Sequence, residues 1–532
     1  MRYYIIRNST VEPFFSGDEA SFSGYDDISS LDMSCDVFIW FYTLPYNPNF
    51  QKLTDEVSGY LGKIDFICNR IPKDKFIFLF TLTNLYQNNI ITGDFSLRKA
   101  INNYNLDIYA LAEKNSNIKI MELNDFLLDY SKDRLLDWKY YFLSKMPFNP
   151  KLANDFREWF SRQTEAVQMK RKKCLVLDLD NTLWGGILGE DGMNGIKIGG
   201  DYPGNAFLEF QKSLIAIKNS GIILSICSKN NEKDVLEIWE KNPFLLIKKE
   251  HISAYRINWN SKHENMMEIA RELNIGLDSM VFIDDNPSER ELIRQFLPMV
   301  EVPDFPAQPY ELPRFSDMII SKYFRVYSIS EEDKTKTEQY KANAERADLQ
   351  KKFSDISEYL SSLEIELQVS EADQFNIPRI AQMSQKTNQF NLTTKRYTES
   401  DILNFVEKGN KVYCISVKDK FGDSGITGII IVLLDRKKSE AVIDTLLLSC
   451  RILGKGIEGA FLNLIMGKLK SESIKTVCAS YVSTLKNKQV EDFYDRSGFT
   501  VIREIKEPVY EKHYQTDISE MEFVIKPYYK IN

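Results

Sequence analysis

A multidomain α/β protein is what this sequence predicts, on three observations. Apolar runs of strand length, rich in β-branched and aromatic residues, recur along most of the chain, as in VFIWFY (37–42) and FIFLFT (76–81). They alternate with amphipathic stretches of helical period, such as 96–114 and 151–170. The 532 residues, at roughly 150 per domain, allow three or four such units. Prolines 303, 306, 309 and 313 cannot continue a central strand or helix interior and predict a boundary. The resulting division is 1–165, 171–303, a linker with a helix over 304–362, and 363–532. Ser330, with Asp333 three positions on, is a helix-start signal for a charged stretch reaching 362.

Composition narrows the function classes. Hydrophobic residues make up 43% and charged residues 27%, the balance of a globular protein. A net charge of −8 argues against a nucleic-acid binder, which needs a basic face. The longest apolar run, Gly425 to Leu434, is about half the ~20 residues of a membrane span, and no signal-peptide apolar region stands near the start. Seven scattered Cys, with no CxxC and no His/Cys cluster, predict a reduced, cytoplasmic protein without structural zinc.

The middle segment carries the strongest chemical signal. CLVLDLD, IILSICS and SMVFIDD are apolar runs ending in polar residues, the pattern of parallel strands with chemistry at their carboxyl ends. Asp178 and Asp180 leave the first strand on the same side, because side chains alternate with period two. Two such carboxylates can share Mg²⁺, or one can attack phosphorus while the other moves the proton. Ser228 and Lys262 can hold phosphoryl oxygens, and Asp284 and Asp285 can complete a metal site. The gaps between these pieces hold no lid domain, so the site is open enough for a group carried on a macromolecule. WGGILGEDG (184–192) reads as a short flap.

This set resembles the haloacid-dehalogenase (HAD) superfamily. The resemblance implies a capless Rossmann-like parallel sheet with Asp178 as nucleophile and Asp180 as general acid and base. It further implies that Thr182, Ser228 and Lys262 bind phosphate and that Asp178, Asp180 and Asp284 or Asp285 hold Mg²⁺. DLDNTLWGG, ICSKNN and FIDDNP, with QKTNQFNLTT (385–394) and SCRILGKG (449–456) downstream, look like the FkbH-like family, which joins a HAD subfamily IIIC domain to a GNAT-like domain. Membership implies transfer of a glyceryl unit from 1,3-bisphosphoglycerate to the phosphopantetheine arm of an acyl carrier protein, with dephosphorylation on the way. The alternative is a small-molecule phosphatase whose GNAT-like domain only binds or uses acetyl-CoA. The family's first domain is SGNH-like. Residues 1–165 contain no His, so the Ser–His pair of such hydrolases is missing and a docking or structural role is expected.

In the carboxyl-terminal part, Arg451, Gly454 and Gly456 form an RxxGxG turn that resembles the acyl-CoA motif of GNAT enzymes. Asn487 and FYDRSGF (493–499) fit that fold's last helix and strand. Cys450, beside a cation and a helix amino terminus, is the expected acyl-holding thiolate. Its rival, Cys227, should face the core if Ser228 faces the phosphate. Asn388 and Gln389 are candidates to bind a hydroxy acid, and Asp423 to act as its base. A basic dock for the carrier is expected near Lys395, Arg396, Arg451 and Lys455.

Overall fold

The computed structural model describes all residues except 16, 18, 87–89, 169, 330–341, 343–345, 347–348, 351, 450–451 and 508. Cys450, Arg451 and the helix start at Ser330 and Asp333 therefore lie outside the described residues. The chain divides into two compact units, Met1–Val167 and Gln168–Asn532.

The first unit is built on a parallel sheet of β1 (Tyr3–Arg7), β2 (Ala20–Tyr25), β3 (Val37–Phe41), β4 (Phe76–Phe80) and β5 (Ile118–Met121), in the order β2-β1-β3-β4-β5. Strand β3 is buried at all five positions, because apolar clusters cover both faces. The strand order reverses between β1 and β3, where open α/β sheets usually leave a ligand crevice. Here that point is stitched shut. Asn8 Nδ2 donates to Thr43 O at 2.8 Å, Thr43 N donates to Asn8 Oδ1 at 3.1 Å, and the Thr43 hydroxyl reaches Ser9 Oγ at 3.2 Å.

The second unit holds two sheets. One consists of β6 (Cys174–Leu177), β7 (Ile223–Ser228), β8 (Ile252–Ile257) and β9 (Met280–Ile283), all parallel and in the order β8-β7-β6-β9. Every residue of β6, β7 and β9 is buried, as expected of strands covered on both faces. The proline-rich boundary reads differently in three dimensions. Pro313 sits in the first turn of a helix (Leu312–Ile319), where its missing N–H costs nothing. Leu312, Phe315, Ile319, Tyr323 and Phe324 then pack into the core of this same sheet, so the stretch completes the domain.

The other sheet is mixed. It comprises β10 (Ile365–Glu371), β11 (Phe390–Asn391), β12 (Lys411–Asp419), β13 (Gly422–Asp435), β14 (Glu440–Leu448), β15 (Thr476–Val482), β16 (Thr500–Ile505), β17 (Glu511–Asp517) and β18 (Tyr529–Ile531). Strands β14 and β15 are parallel neighbours only over Glu440–Ile443 and Thr476–Ala479. Beyond that register β11 pairs with Leu447 and Leu448, while Val482 N donates to Leu392 O at 2.8 Å. The segment 390–392 thus fills the wedge where the two strands diverge. No described helix is long and apolar enough to cross a membrane.

Candidate active site

The carboxyl edge of the four-stranded sheet gathers the central motif. Asp178 and Asp180 follow β6, Ser228 ends β7, Lys262 opens the helix Lys262–Glu272 after β8, and Asp284 and Asp285 follow β9. The loop after β6 is set by its own sequence. Asn181 adopts a left-handed φ of 52°, which Asn tolerates well, and its Oδ1 accepts from Gly186 N at 2.8 Å. Gly186 has φ 95°, and a Cβ there would lie 2.5 Å from Asp191 Oδ2.

One carboxylate oxygen from each of Asp178, Asp284 and Asp285 lies within 4.8 Å of the others. Asp178 and Asp284 are buried, and Asp178 Oδ1 accepts no hydrogen bond. Lys262 Nζ lies 2.6 Å from Asp284 Oδ2 and 3.0 Å from Asp178 Oδ1. Burial alone would push this ammonium down, but the charges of Asp178 and Asp284 outweigh it and hold Lys262 above its ordinary range. Burial raises Asp284 and Asp285, and the charge of Asp178 raises them further, against the pull of Lys262. Three hard oxygen donors with only one ammonium inserted among them fit a divalent cation that prefers oxygen.

Asp180 departs from the expected metal set. Its Oδ1 accepts from Trp184 Nε1 and from Leu188 N, both at 3.0 Å, and its Oδ2 accepts from Asn230 Nδ2 at 2.9 Å. The carboxylate is thereby oriented by three donors and stands outside the triad of 178, 284 and 285. Burial nonetheless raises its pKa against those hydrogen bonds. Thr182 is fully buried, and its hydroxyl accepts from Asp285 N at 3.2 Å, tying the β6 loop to the β9 loop. Ser228 Oγ has Asn230 Nδ2 at 3.5 Å. Trp184 and Asn230 were missed by the sequence reading, although each lies within a quoted motif, WGG and SKN. What they do depends on which way the loops fold back, and spacing does not specify that. Cys227 faces the core among Met266, Ile269 and Phe282, and burial pushes its thiol up to about 12, which disfavours the thiolate.

The motif residues of the mixed sheet behave otherwise. Asn487 is fully buried and its amide is spent. Nδ2 donates to Asn391 O and Val482 O, both at 2.9 Å, and Oδ1 accepts from Thr484 N at 2.7 Å and from the Tyr481 hydroxyl at 3.3 Å. It is a pin for the wedge segment, with nothing left for pantetheine. Asn388 Oδ1 accepts from Arg396, and Gln389 O accepts from Gln489 Nε2 at 3.4 Å. Asp423 is exposed in the β12–β13 hairpin, where Oδ1 caps Gly425 N at 2.7 Å; a turn role replaces the expected base. Gly454 and Gly456 have φ of 82° and 72°, so the turn into the helix Ile457–Ser471 itself demands glycine.

The described cations of the expected basic dock each have partners within the protein. Lys395 pairs with Asp444, and Arg396 donates to the Ser384 and Thr387 carbonyls. Lys455 is buried, with Nζ 3.3 Å from Asp419 Oδ2, and Asp419 also holds Arg346. Lys395 and Arg396 are exposed although each has these partners, whereas Lys455 is buried.

Comparison with known proteins bears on the same regions. A family model of NLI interacting factor-like phosphatases matches residues 173–316. Residues 173–316 are thus similar to a phosphatase domain. The matched span takes in all four strands of the parallel sheet, the triad of carboxylates and the first part of the helix Leu312–Ile319. The N-terminal part of protein BF1531 from Bacteroides fragilis, whose structure contains a phosphatase domain complexed with Mg, is 27% identical. That match has a TM-score of 0.53 and covers 62% of this chain and 95% of that one. Two acetyltransferases also match. The ribosomal-protein-S18-alanine N-acetyltransferase from Escherichia coli is 11% identical, with a TM-score of 0.24, over 30% of this chain and 99% of that one. The spermidine/spermine N-acetyltransferase SpeG from Vibrio cholerae is 12% identical, with a TM-score of 0.24, over 30% and 96%. No curated protein sequence matches the chain.

Proposed function

We propose that this protein is a Mg²⁺-dependent phosphatase acting through Asp178. The observation that carries this reading is the buried, hydrogen-bond-free Oδ1 of Asp178 beside two further carboxylates and the Lys262 ammonium. Mg²⁺, held by Asp178, Asp284 and Asp285, supplies the positive charge that lets an anionic nucleophile approach an anionic phosphoryl group. Lys262 adds a fixed charge at the same place. A carboxylate oxygen of Asp178 attacks phosphorus, the ester P–O bond breaks, and the departing oxygen takes a proton from Asp180. Water then attacks the aspartyl-phosphate and gives its proton to Asp180, which releases phosphate and restores both carboxyl groups. Trp184, Leu188 N and Asn230 keep the Asp180 carboxyl in place for both transfers.

The substrate we propose is a phosphoglyceryl group. In this reading a glyceryl unit from 1,3-bisphosphoglycerate is loaded as a thioester onto the phosphopantetheine arm of an acyl carrier protein, and the Asp178 site removes its phosphate. The FkbH-like motifs support the reading, as does a phosphatase domain and a mixed-sheet domain in one chain. Cys450 is the proposed thiol. Incubation with 1,3-bisphosphoglycerate, Mg²⁺ and a holo-carrier should raise the carrier's intact mass by a glyceryl unit. Phosphate release with no mass gain on any carrier would leave the phosphatase and reject the transfer. Full transfer by Cys450→Ala would reject the assigned thiol.

A further inference from the structure

Lys229 directly follows β7, and Glu289 lies in the first turn of the helix Pro287–Phe296 that follows β9. Strand β6 stands between β7 and β9, and all three run parallel. The Lys229–Glu289 ion pair, at 2.6 Å, therefore reaches past the end of β6, where Asp178 sits. Two of the cations of this edge are placed differently. The Lys262 side chain is 4% exposed and wedged between two carboxylates, whereas the Lys229 side chain is 38% exposed. Arg290, the next cation along, turns its Nη1 to the carbonyls of Asp284 and Asp285. An ammonium has three donors, and Glu289 Oε1 takes one of them. Glu289 itself is 15% exposed and its Oε2 is buried without a partner, so the pair is held in the protein surface and is no loose contact in water.

Resting on the phosphatase reading alone, and not on the carrier-bound thioester, whose carboxyl is no longer an anion, we infer that Lys229 is a specificity-determining residue that recognises a second anionic group, carboxylate or phosphate, on a free substrate beyond the scissile ester. Glu289 positions Lys229 across the mouth while the remaining N–H donors face the incoming group. Lys262 is already engaged by Asp178 and Asp284, so Lys229 is the more exposed cation left to meet a second anion.

The test uses 3-phosphoglycerate, with a carboxylate, 2,3-bisphosphoglycerate, with a second phosphate, and glycerol 3-phosphate, which lacks a second anion. Phosphate release is measured for the wild-type chain, Lys229→Met and Lys229→Arg. Binding of the same three probes is measured by calorimetry in the Asp178→Asn background, with and without Lys229→Met. The wild-type preference for the two acids over glycerol 3-phosphate should fall by about tenfold or more in Lys229→Met, mainly through KM, and recover in Lys229→Arg. Whichever acid loses more identifies the anion. An unchanged preference in Lys229→Met, or equal binding of all three probes to the Asp178→Asn chain, would overturn the inference. A wild-type chain that releases phosphate neither from these three nor from a phosphoglyceryl-loaded carrier would overturn the phosphatase reading instead, while the calorimetry still decides the role of Lys229.

Discussion

The parallel-sheet edge around Asp178 and the wedge of the mixed sheet around Asn487 both gather buried polar residues from distant motifs, yet they differ in what those residues have left to give. At the first, Asp178 Oδ1 is buried without a hydrogen bond and three carboxylates crowd around one ammonium. At the second, Asn487 satisfies both amide donors and both acceptor positions within the protein. Asp178 Oδ1 has the Lys262 ammonium 3.0 Å away but accepts no hydrogen bond, which leaves it capacity for a ligand, whereas a saturated amide stabilises the fold. Of the two regions, only the first keeps capacity for a ligand.

That contrast can be broken experimentally. Its largest expected effect is on catalysis. Asp178→Asn should reduce phosphate release by about a thousandfold or more, since the nucleophile is lost. Retention of most activity would move the reaction elsewhere. Chelation of Mg²⁺ should abolish activity reversibly, and adding the ion back should raise the melting temperature, because a ligand that binds only the folded chain stabilises it. A melting temperature indifferent to Mg²⁺ would mean that the triad does not bind it. Asn487→Ala should cost about 2–4 kcal/mol in chemical denaturation, through lost hydrogen bonds and orphaned carbonyls, while Mg²⁺-dependent phosphate release survives. Loss of phosphate release at full stability would make Asn487 a functional residue after all.

A smaller effect sharpens the picture of the GKG turn. Burial pushes Lys455 down to about 8 from its ordinary 10.5, and the Arg346 charge pushes the same way, with Asp419 opposing. Between those two values the unfolded chain binds more protons than the folded one, so unfolding free energy should rise with pH from about 8 to about 10.5. Lys455→Met should flatten that rise, which denaturant titrations at several pH values can measure. The least effect belongs to Asp423→Ala, a hairpin cap on the surface, at under about 1 kcal/mol. Loss of carrier loading in that variant would restore it as a catalytic base.

How legible each part was follows from the kind of constraint involved. The strands at 37–41 and 76–80 were readable because a buried parallel strand must be continuously apolar. The proline cluster misled at 309–324, since proline is excluded from a helix interior but favoured in its first turn, and only packing told which applied. The Asp178 motif was readable because strand ends deliver alternate residues to one side. Asp180 was placed in the metal set because the same alternation cannot say that Trp184 and Asn230 will occupy its oxygens.

The sequence by itself determined the α/β class, the order of the chemical groups at three strand ends, and the core-facing orientation of Cys227. Each follows from periodicity, which is a local property of the chain. Only the tertiary structure decided which polar atoms were already spent. Asn487 and Arg396 find partners through loop closure, Lys395 pairs with Asp444 and Lys229 with Glu289 across tens of residues. A hydrogen bond or ion pair over such separations depends on where loops close, and residue spacing does not encode that.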